Sequence, residues 1–170
     1  VVNLHALARA ICSRAVWLGK IAEDDEIEAV WEEVFAARGK GELPMPPDEI
    51  KREFMLVIDP NGIDEEEAYL TTVRSGRSPL RRPERRRVWE VVNAFLVRMR
   101  QRNLITFDGA VHQARLAVEQ GKFDGFAHVL VDEVQDFCLE ALRLIRALAP
   151  SGEGFRNPLV RDEEVAGHFS

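Results

Sequence analysis

The sequence has 170 residues and a net charge of −6, and 46% of its residues are hydrophobic and 31% charged. This is the composition of a soluble globular protein, long enough for one ordinary domain or for a piece of something larger. The chain has no run of eighteen apolar residues and no secretory signal pattern at its N-terminus, so we expect neither a membrane span nor export.

The two cysteines indicate the cellular compartment of the protein, and the first residue indicates that the sequence is part of a longer chain. Cys12 and Cys138 lie far apart and form no CxxC pair, so we expect reduced, mostly buried cysteines in a cytoplasmic protein. The chain begins with Val rather than Met, which suggests that the sequence is a piece of a longer protein.

The net charge conceals two oppositely charged regions. Sixteen acids and five bases fall between Lys20 and Glu67, whereas ten arginines and only two acids fall between Arg74 and Arg102. The local arginine run therefore says more about partners than the overall charge does.

The first two predicted helices are amphipathic. Leu4, Leu7 and Ile11 recur at helical spacing, and His5 stands at the start of this helix. The next helix runs from about Asp25 to Arg38 and has one apolar face and otherwise acidic faces, which favours a solvated surface over a metal site.

Shorter elements follow. A short helix carries Ile50, Phe54 and Val57, and the residues from Asp59 to Gly62 form a strong turn signal. A further short helix is expected from Asp64 to Val73.

The segment from Arg74 to Trp89 contains glycine, serine, proline and many arginines, which predicts an exposed loop. Its arginines could bind phosphates, because guanidinium pairs bidentately with phosphate oxygens. They could equally pair with the acidic helices upstream, and the sequence leaves both possibilities open.

The C-terminal half contains three more predicted helices. Apolar residues recur from Val88 to Met99, from Phe107 to Val118 with Gly121 at the end, and from Leu139 to Leu148. Residues 151–170 are polar and aperiodic and are expected to form a loosely ordered tail.

An apolar run from Ala127 to Val131 precedes the last helix and predicts a strand buried in a parallel sheet. Asp132, Glu133, Gln135 and Asp136 follow directly, where the carboxyl end of such a strand would place a ligand site. Adjacent acids there suit a metal-bound nucleotide. The alternative is a strand followed by a helix whose first turn happens to be acidic, with Asp136 as its cap.

The string from Val129 to Phe137, Val-Leu-Val-Asp-Glu-Val-Gln-Asp-Phe, resembles motif II, the Walker B element, of superfamily 1 DNA helicases of the UvrD/Rep type. The resemblance extends over roughly residues 1–150. It implies a mainly α fold with a minor β component, namely a fragment of a RecA-like P-loop NTPase α/β domain plus its helical insertion. By this resemblance, residues 1–23 begin the RecA-like part, 24–87 form the 1B-like insertion, 88–150 return to the RecA-like part with the Walker B strand, and 151–170 form a tail.

The resemblance also implies roles for individual residues in an intact helicase that uses Mg²⁺ and ATP. Asp132 would hold Mg²⁺ together with Glu133, and Glu133 would act as the general base for the attacking water. Gln135 and Asp136 would couple the nucleotide state to neighbouring motifs and to DNA.

DNA contacts are implied for a histidine that stands at the family's Thr-aromatic-His position and for several arginines. Asn3 and Leu4 replace the usual threonine and aromatic residue before His5. Packing at a helix start is the alternative role for this histidine. Thr106 stands where the family has an aspartate before Phe107. The proposed contacts are His5, Arg74, Arg77, Arg81, Arg82, Arg85 and Arg86.

Nucleotide hydrolysis also needs a phosphate loop, and the pattern GxxxxGK[ST] does not occur in these 170 residues. We therefore expect no ATP hydrolysis by this chain alone, and no tightly bound cofactor.

Two other functions stay open. The chain could be a non-catalytic helical module that binds nucleic acid or an acidic protein, or Asp132, Glu133 and Asp136 could form a metal-dependent nuclease site. Apolar faces left without a sheet would be exposed and could drive homo-oligomerisation.

Overall fold

The computed structural model describes residues 3–15, 19–38, 41–74 and 78–149. Val1, Val2, Trp17, Arg77 and the predicted tail at 151–170 lie outside these ranges. The fold is mainly helical with a small β component, as the sequence predicts. Its regular elements are α1 (Leu4–Ala15), β1 (Lys20–Ile21), α2 (Asp24–Ala36), α3 (Pro47–Glu53), a π-helical turn (Phe54–Ile58), a 3-10 turn (Asp59–Asn61), α4 (Glu66–Thr71), α5 (Arg82–Gln101), β2 (Leu104–Ile105), α6 (Phe107–Glu119), a second 3-10 turn (Val134–Asp136) and α7 (Leu139–Leu148).

The helices follow the apolar periodicity of the sequence closely. The predictions for α2, α6 and α7 are confirmed to within two residues at most ends, and Gly121 adopts a left-handed φ of 69° just beyond α6. One boundary is wrong: α5 begins at Arg82, so the second half of the predicted loop from Arg74 to Trp89 is helical. Pro83 lies in the first turn, where its missing N–H has no helical partner to lose.

A first apolar core lies between α2, α3, the π-helical turn, α4 and α5. The rings of Trp31 and Phe95 stack with centroids 3.9 Å apart, and Phe54 packs edge-on against both. Trp89 is also buried and stacks on Tyr69. Burial of aromatic rings on this scale joins the acidic helices to α5 as one unit. The predicted boundary at residue 88 falls inside α5, and α5 packs against α2, α3 and α4.

A second apolar core lies between α1, α6 and α7. Ile11, Ala114 and Leu144 are fully buried at its centre. Cys12 is also fully buried, and its thiol donates to the carbonyl of Ala110 at 3.4 Å. Small alanines along α6 let α1 and α7 approach it from either side.

The turn Asp59–Asn61 connects the two cores because it packs against α6 and α7. Gly62 ends the turn with φ 61°, and a Cβ at this position would lie 2.5 Å from Nδ1 of His112. Glycine is needed here on two counts, since the backbone is left-handed and a side chain would overlap α6.

The β component is a two-stranded parallel sheet that the sequence does not reveal. Lys20 pairs with Leu104 and Ile21 with Ile105. This short ladder ties the end of the α1 region to the loop between α5 and α6.

The predicted strand from Ala127 to Val131 is wrong. Residues 127–131 form no strand and pair with no strand in the described part of the chain, and Leu130 is 93% exposed. A strand needs a neighbour for its backbone N–H and C=O groups, so an apolar run without one does not make a sheet.

Candidate functional site

The four polar residues that follow this apolar run lie together in one exposed turn. Asp132 accepts the backbone N–H of Glu133 at 3.0 Å, and Glu133 accepts the side-chain amide of Gln135. The N–H of Asp136 donates to the carbonyl of Glu133 at 3.0 Å. In the part of the chain that the structure describes, none of the three carboxylates enters an ion pair. We call residues 132–136 the acidic turn.

Glu133 has a left-handed backbone, with φ 53°. A residue with a Cβ pays on the order of 1 kcal/mol or more for this conformation, and such residues concentrate at functional sites. Asp136 does not cap the following helix, because Cys138 occupies the N-cap of α7. The acidic turn therefore has no evident role in starting α7.

The donor set of the acidic turn fits Mg²⁺ only in part. Mg²⁺ in nucleotide sites takes one or two carboxylates and completes its shell with phosphate oxygens and water. Asp132 and Glu133 supply such carboxylates. The described residues contain no group of three or more potential ligands, so a metal here would depend on oxygens from a nucleotide.

His5 lies in the first turn of α1, and its ring packs edge-on against Phe107. Asn3 accepts the N–H of His5 at 2.8 Å and so helps to close the start of the helix. Burial lowers the pKa of His5, and the carboxylate of Asp108 opposes this effect. The packing role that the sequence allows for His5 is thus present in the structure.

Three helix N-termini meet beside the acidic turn. His5 in the first turn of α1 contacts Phe107 at the start of α6, and Cys138 at the start of α7 lies 3.9 Å from Asp108 in the first turn of α6. Helix N-termini carry partial positive charge and unpaired N–H groups that attract anions. The structure thus brings His5 to the same side of the molecule as the acidic turn.

The side chain of Arg74 is largely buried and pairs with the buried carboxylate of Glu53. Its Nη2 donates to Oε2 of Glu53 at 2.8 Å, and Glu53 also accepts the hydroxyl of Tyr69 at 2.9 Å. The exposed fraction is 8% for the Arg74 side chain and zero for Glu53. This arginine holds the α4 region to α3.

Three further arginines hold α5 to α4. Arg82 pairs with Glu67 at 2.8 Å and Arg86 with Glu66 at 3.2 Å. Arg85 donates to carbonyls at the end of α4 and lies over the ring of Tyr69. Pairing with upstream acidic residues, one of the two roles that the sequence left open for these arginines, is therefore present for Arg82 and Arg86.

Arg81 differs from its neighbours. It is exposed, and its guanidinium has no ion pair within the described residues, while its backbone N–H donates to Glu84 at 2.6 Å. Surface ion pairs contribute little, so Arg82 and Arg86 can also exchange partners. A DNA contact stays a prediction for these arginines, and Arg77 falls in an undescribed range.

Sequence reasoning missed one buried polar group, the carboxylate of Glu140. Glu140 is fully buried and accepts from Nδ1 of His112 at 2.7 Å, from Nε of Arg115 at 2.5 Å and from Arg143 at 3.1 Å. Burial acts to raise the pKa of Glu140, but these hydrogen bonds outweigh it and lower the pKa to about 2. We call Glu140, His112, Arg115 and Arg143 the buried polar network. The available signal was the position of Glu140, four residues before Leu144 on the buried face of α7.

Thr106 explains how the chain does without the expected aspartate. Its hydroxyl accepts the N–H of Gly109 at 3.0 Å as the N-cap of α6, and it donates to Asp59 at 2.9 Å. Burial raises the pKa of Asp59 to about 7, against the hydrogen bond from Thr106. The cap is retained, and the threonine also binds the turn that joins the two cores.

No protein-family model, curated protein or solved structure matches this chain. The function is accordingly proposed from the motif and the geometry around it. No helix in the described ranges is long and apolar enough to cross a membrane.

Proposed function

We propose that this chain is part of a cytoplasmic ATP-dependent DNA helicase of the UvrD/Rep type and carries its Walker B motif. The observation that supports this most is the string from Val129 to Phe137, which combines the apolar run, the acid pair and the Gln-Asp that follows it. An adjacent acid pair alone is common, whereas the full string is much more specific.

Each residue of the acidic turn has a defined task under this proposal. Asp132 would hold Mg²⁺ together with Glu133, and the ion would supply charge neutralisation at the phosphates of ATP. Glu133 accepts the proton of the water that attacks the γ-phosphate, a task for a carboxylate. Gln135 and Asp136 report the state of the nucleotide to the DNA-binding side.

The exposure of this region agrees with such a role. Carboxylates that must reach a nucleotide have to be free of strong partners, and the three in the acidic turn are exposed. Residues 127–131 belong to no strand of the described structure. Under this proposal they would join a parallel sheet formed with other strands of the same protein. The phosphate loop must also come from outside these 170 residues.

DNA would bind along the side where the helix N-termini meet. The N-termini of α1, α6 and α7 favour a phosphate backbone there, and His5 is exposed next to them. Arg81 would be a separate DNA contact, because the 20 residues of α5 lie between it and the start of α6. The buried pairing of Arg74 makes it a structural residue in this scheme.

The test is ATP hydrolysis by the full-length protein that contains this chain. Hydrolysis should require Mg²⁺ and rise when single-stranded DNA is added. Asp132→Asn should raise the Mg²⁺ concentration for half-maximal hydrolysis by about tenfold, which corresponds to a loss of about 1.4 kcal/mol in binding free energy. Asp124→Asn, an exposed change away from the acidic turn, should leave this concentration unchanged. An unaltered Mg²⁺ requirement in Asp132→Asn would contradict the assignment of Asp132 as a Mg²⁺ ligand.

A second candidate is a non-catalytic helical module that binds nucleic acid or an acidic protein. The density of arginine between Arg81 and Arg102 favours it. Its signature is DNA affinity in the chain itself that falls steeply with salt. Fluorescence anisotropy with labelled single-stranded DNA separates this candidate from the helicase. A binding module should lose DNA affinity in Arg81→Ala but not in the control Arg146→Ala, which changes another exposed arginine. Its DNA affinity in the full-length protein should also not respond to ATP. The nuclease alternative has no third ligand beside the acid pair in the described residues.

A homo-oligomer is a further consequence that we propose for the isolated chain. Three large apolar side chains are exposed on and beside the acidic turn: Leu130, Val134 and Leu139. Apolar surface left uncovered in this way favours self-association.

A further inference from the structure

A pocket of about 480 Å³ opens where the two cores meet, away from the acidic turn. It lies between α5, α6 and the turn Asp59–Asn61. Most of its wall is apolar and comes from Phe54, Ile63, Leu96, Met99, Leu104 and Ile105. A pocket of this size and lining suits a small organic molecule.

Acceptors in the pocket gather around His112, whereas the donor-bearing side chains of its lining are Arg100, Asn103 and Gln113. Asp59, Asp64 and His112 line it together, and Thr106 beside them is already engaged, as it donates to Asp59 and accepts from Gly109. Arg100 also lines the pocket, but its Nε donates to the carbonyl of Leu96 in its own helix at 3.2 Å. An anionic ligand placed at His112 would therefore meet the carboxylate of Asp64.

His112 leaves one buried atom without a partner. Its side chain is 9% exposed, and Nε2 is buried and forms no hydrogen bond. The nearest carboxylate oxygen, Oδ2 of Asp64, lies 3.6 Å away, beyond hydrogen-bond distance. An unsatisfied buried polar atom costs roughly 1–3 kcal/mol, so a ligand that satisfies it gains affinity.

The hydrogen bond at Nδ1 of His112 determines whether Nε2 donates or accepts. Nδ1 faces Glu140 at 2.7 Å, and Glu140 is held as a carboxylate by Arg115 and Arg143. A carboxylate only accepts hydrogen bonds, so Nδ1 carries the proton and donates it. In the neutral ring Nε2 is then an acceptor, and it lies beside a second acceptor on Asp64.

We propose that this pocket binds a small apolar amine, with its hydrocarbon body against the apolar wall and its N–H groups on Nε2 of His112 and the carboxylate of Asp64. An amine supplies the donors that both atoms lack, and a protonated amine also pairs with the negative charge of Asp64. An apolar ligand without a donor would leave Nε2 unpaired, and a carboxylic acid would be repelled. The site is independent of the proposed helicase chemistry.

The experiment is calorimetric titration of the chain with tryptamine, with indole-3-propionate and 3-methylindole as matched probes. Tryptamine should bind at least tenfold more tightly than indole-3-propionate and more tightly than 3-methylindole. The amide NMR signals of Gly109 and Gln113, which line the pocket, should shift with tryptamine. Equal binding of the three probes, or no tryptamine binding at millimolar concentration, would overturn the proposal.

Two variants locate the binding. Asp64 has 68% of its side chain exposed, so Asp64→Asn should fold normally and weaken tryptamine binding about three- to fivefold, the range of a solvent-exposed charge pair. His112→Phe removes the acceptor and should weaken binding about tenfold if it folds. Asp124→Asn serves as the control and should bind tryptamine like the parent. Unchanged affinity in Asp64→Asn contradicts the assigned orientation even if His112→Phe cannot be purified.

Discussion

Two adjacent regions of this molecule place their carboxylates in opposite surroundings. The acidic turn holds Asp132, Glu133 and Asp136 in water, while Glu140, four residues further on, is fully buried and bonded to three side chains. A buried charge requires partners that compensate its lost hydration, whereas an exposed charge can keep its oxygens available. We therefore expect substitution of Glu140 to change mainly the stability of the protein, and substitution of Glu133, seven positions earlier, to change mainly its reactivity.

The largest expected effect is on the buried side. Glu140→Gln removes the charge that Arg115 and Arg143 bond and should lower the free energy of unfolding by about 3 kcal/mol, the lower end of the range for breaking a buried pair. Glu119→Gln is the matched control, because Glu119 pairs with Arg115 at the surface and should cost less than about 0.5 kcal/mol. Urea unfolding followed by circular dichroism measures both. A loss in Glu140→Gln no larger than in the control would mean that the buried polar network is not structural.

A smaller effect concerns pH. Because burial raises the folded-state pKa of Asp59 to about 7, the folded protein holds a proton that the unfolded chain releases near pH 4. This contribution to stability is complete below pH 4 and is lost as the pH rises through 7. Asp59→Asn keeps an acceptor for Thr106 but cannot ionise.

The measurement is the difference in unfolding free energy between the parent and Asp59→Asn at pH 5, 6, 7 and 8. The difference should shift in favour of the variant by roughly 2 kcal/mol between pH 5 and pH 7, given at most about 1.4 kcal/mol per pH unit for one proton. A difference that does not vary with pH would show that Asp59 ionises normally in the folded protein.

The smallest expected effect lies on the exposed side. Leu130 is 93% exposed, so Leu130→Asp should change the free energy of unfolding by less than about 0.5 kcal/mol. The same change should abolish self-association of the isolated chain, which light scattering detects. Leu144→Asp is the contrast, because Leu144 is fully buried and its change should prevent folding. A marked loss of stability in Leu130→Asp would imply that the Leu130 side chain is packed.

The helices could be predicted from the sequence because their apolar positions repeat at helical spacing. Val30, Trp31 and Val34 on α2 and Ile145 and Leu148 on α7 are buried as their spacing indicates. Leu139, which the same spacing places on the buried face of α7, is 48% exposed. The strand at 127–131 could not be judged in the same way, since an apolar run reports a tendency to be buried but not whether a partner strand exists. The pairing of Lys20 with Leu104 could not be predicted from the sequence, because strands of two residues are too short to show an alternation of apolar and polar residues.

The candidate site shows the same limit. Asp132 and Glu133 could be recognised because chemically unusual neighbours stand next to each other in sequence. His112 and Glu140 are brought together only by the packing of α6 against α7, and each alone is an ordinary helical residue. The arginines from Arg74 to Arg86 had two possible roles, and only the folded structure shows which of them meet acidic partners.

The separation of reactivity from stability is tested most directly by Glu133→Gln in the full-length protein, assayed for ATP hydrolysis and for thermal unfolding. Loss of a general base should reduce the turnover number by about a hundredfold or more. Because Glu133 is exposed and unpaired with any cation in the described residues, the melting temperature should stay within about 2 °C of the parent value. Hydrolysis at the parental rate, or a melting temperature that falls as far as in Glu140→Gln, would contradict the assignment of the acidic turn as half of an ATP site.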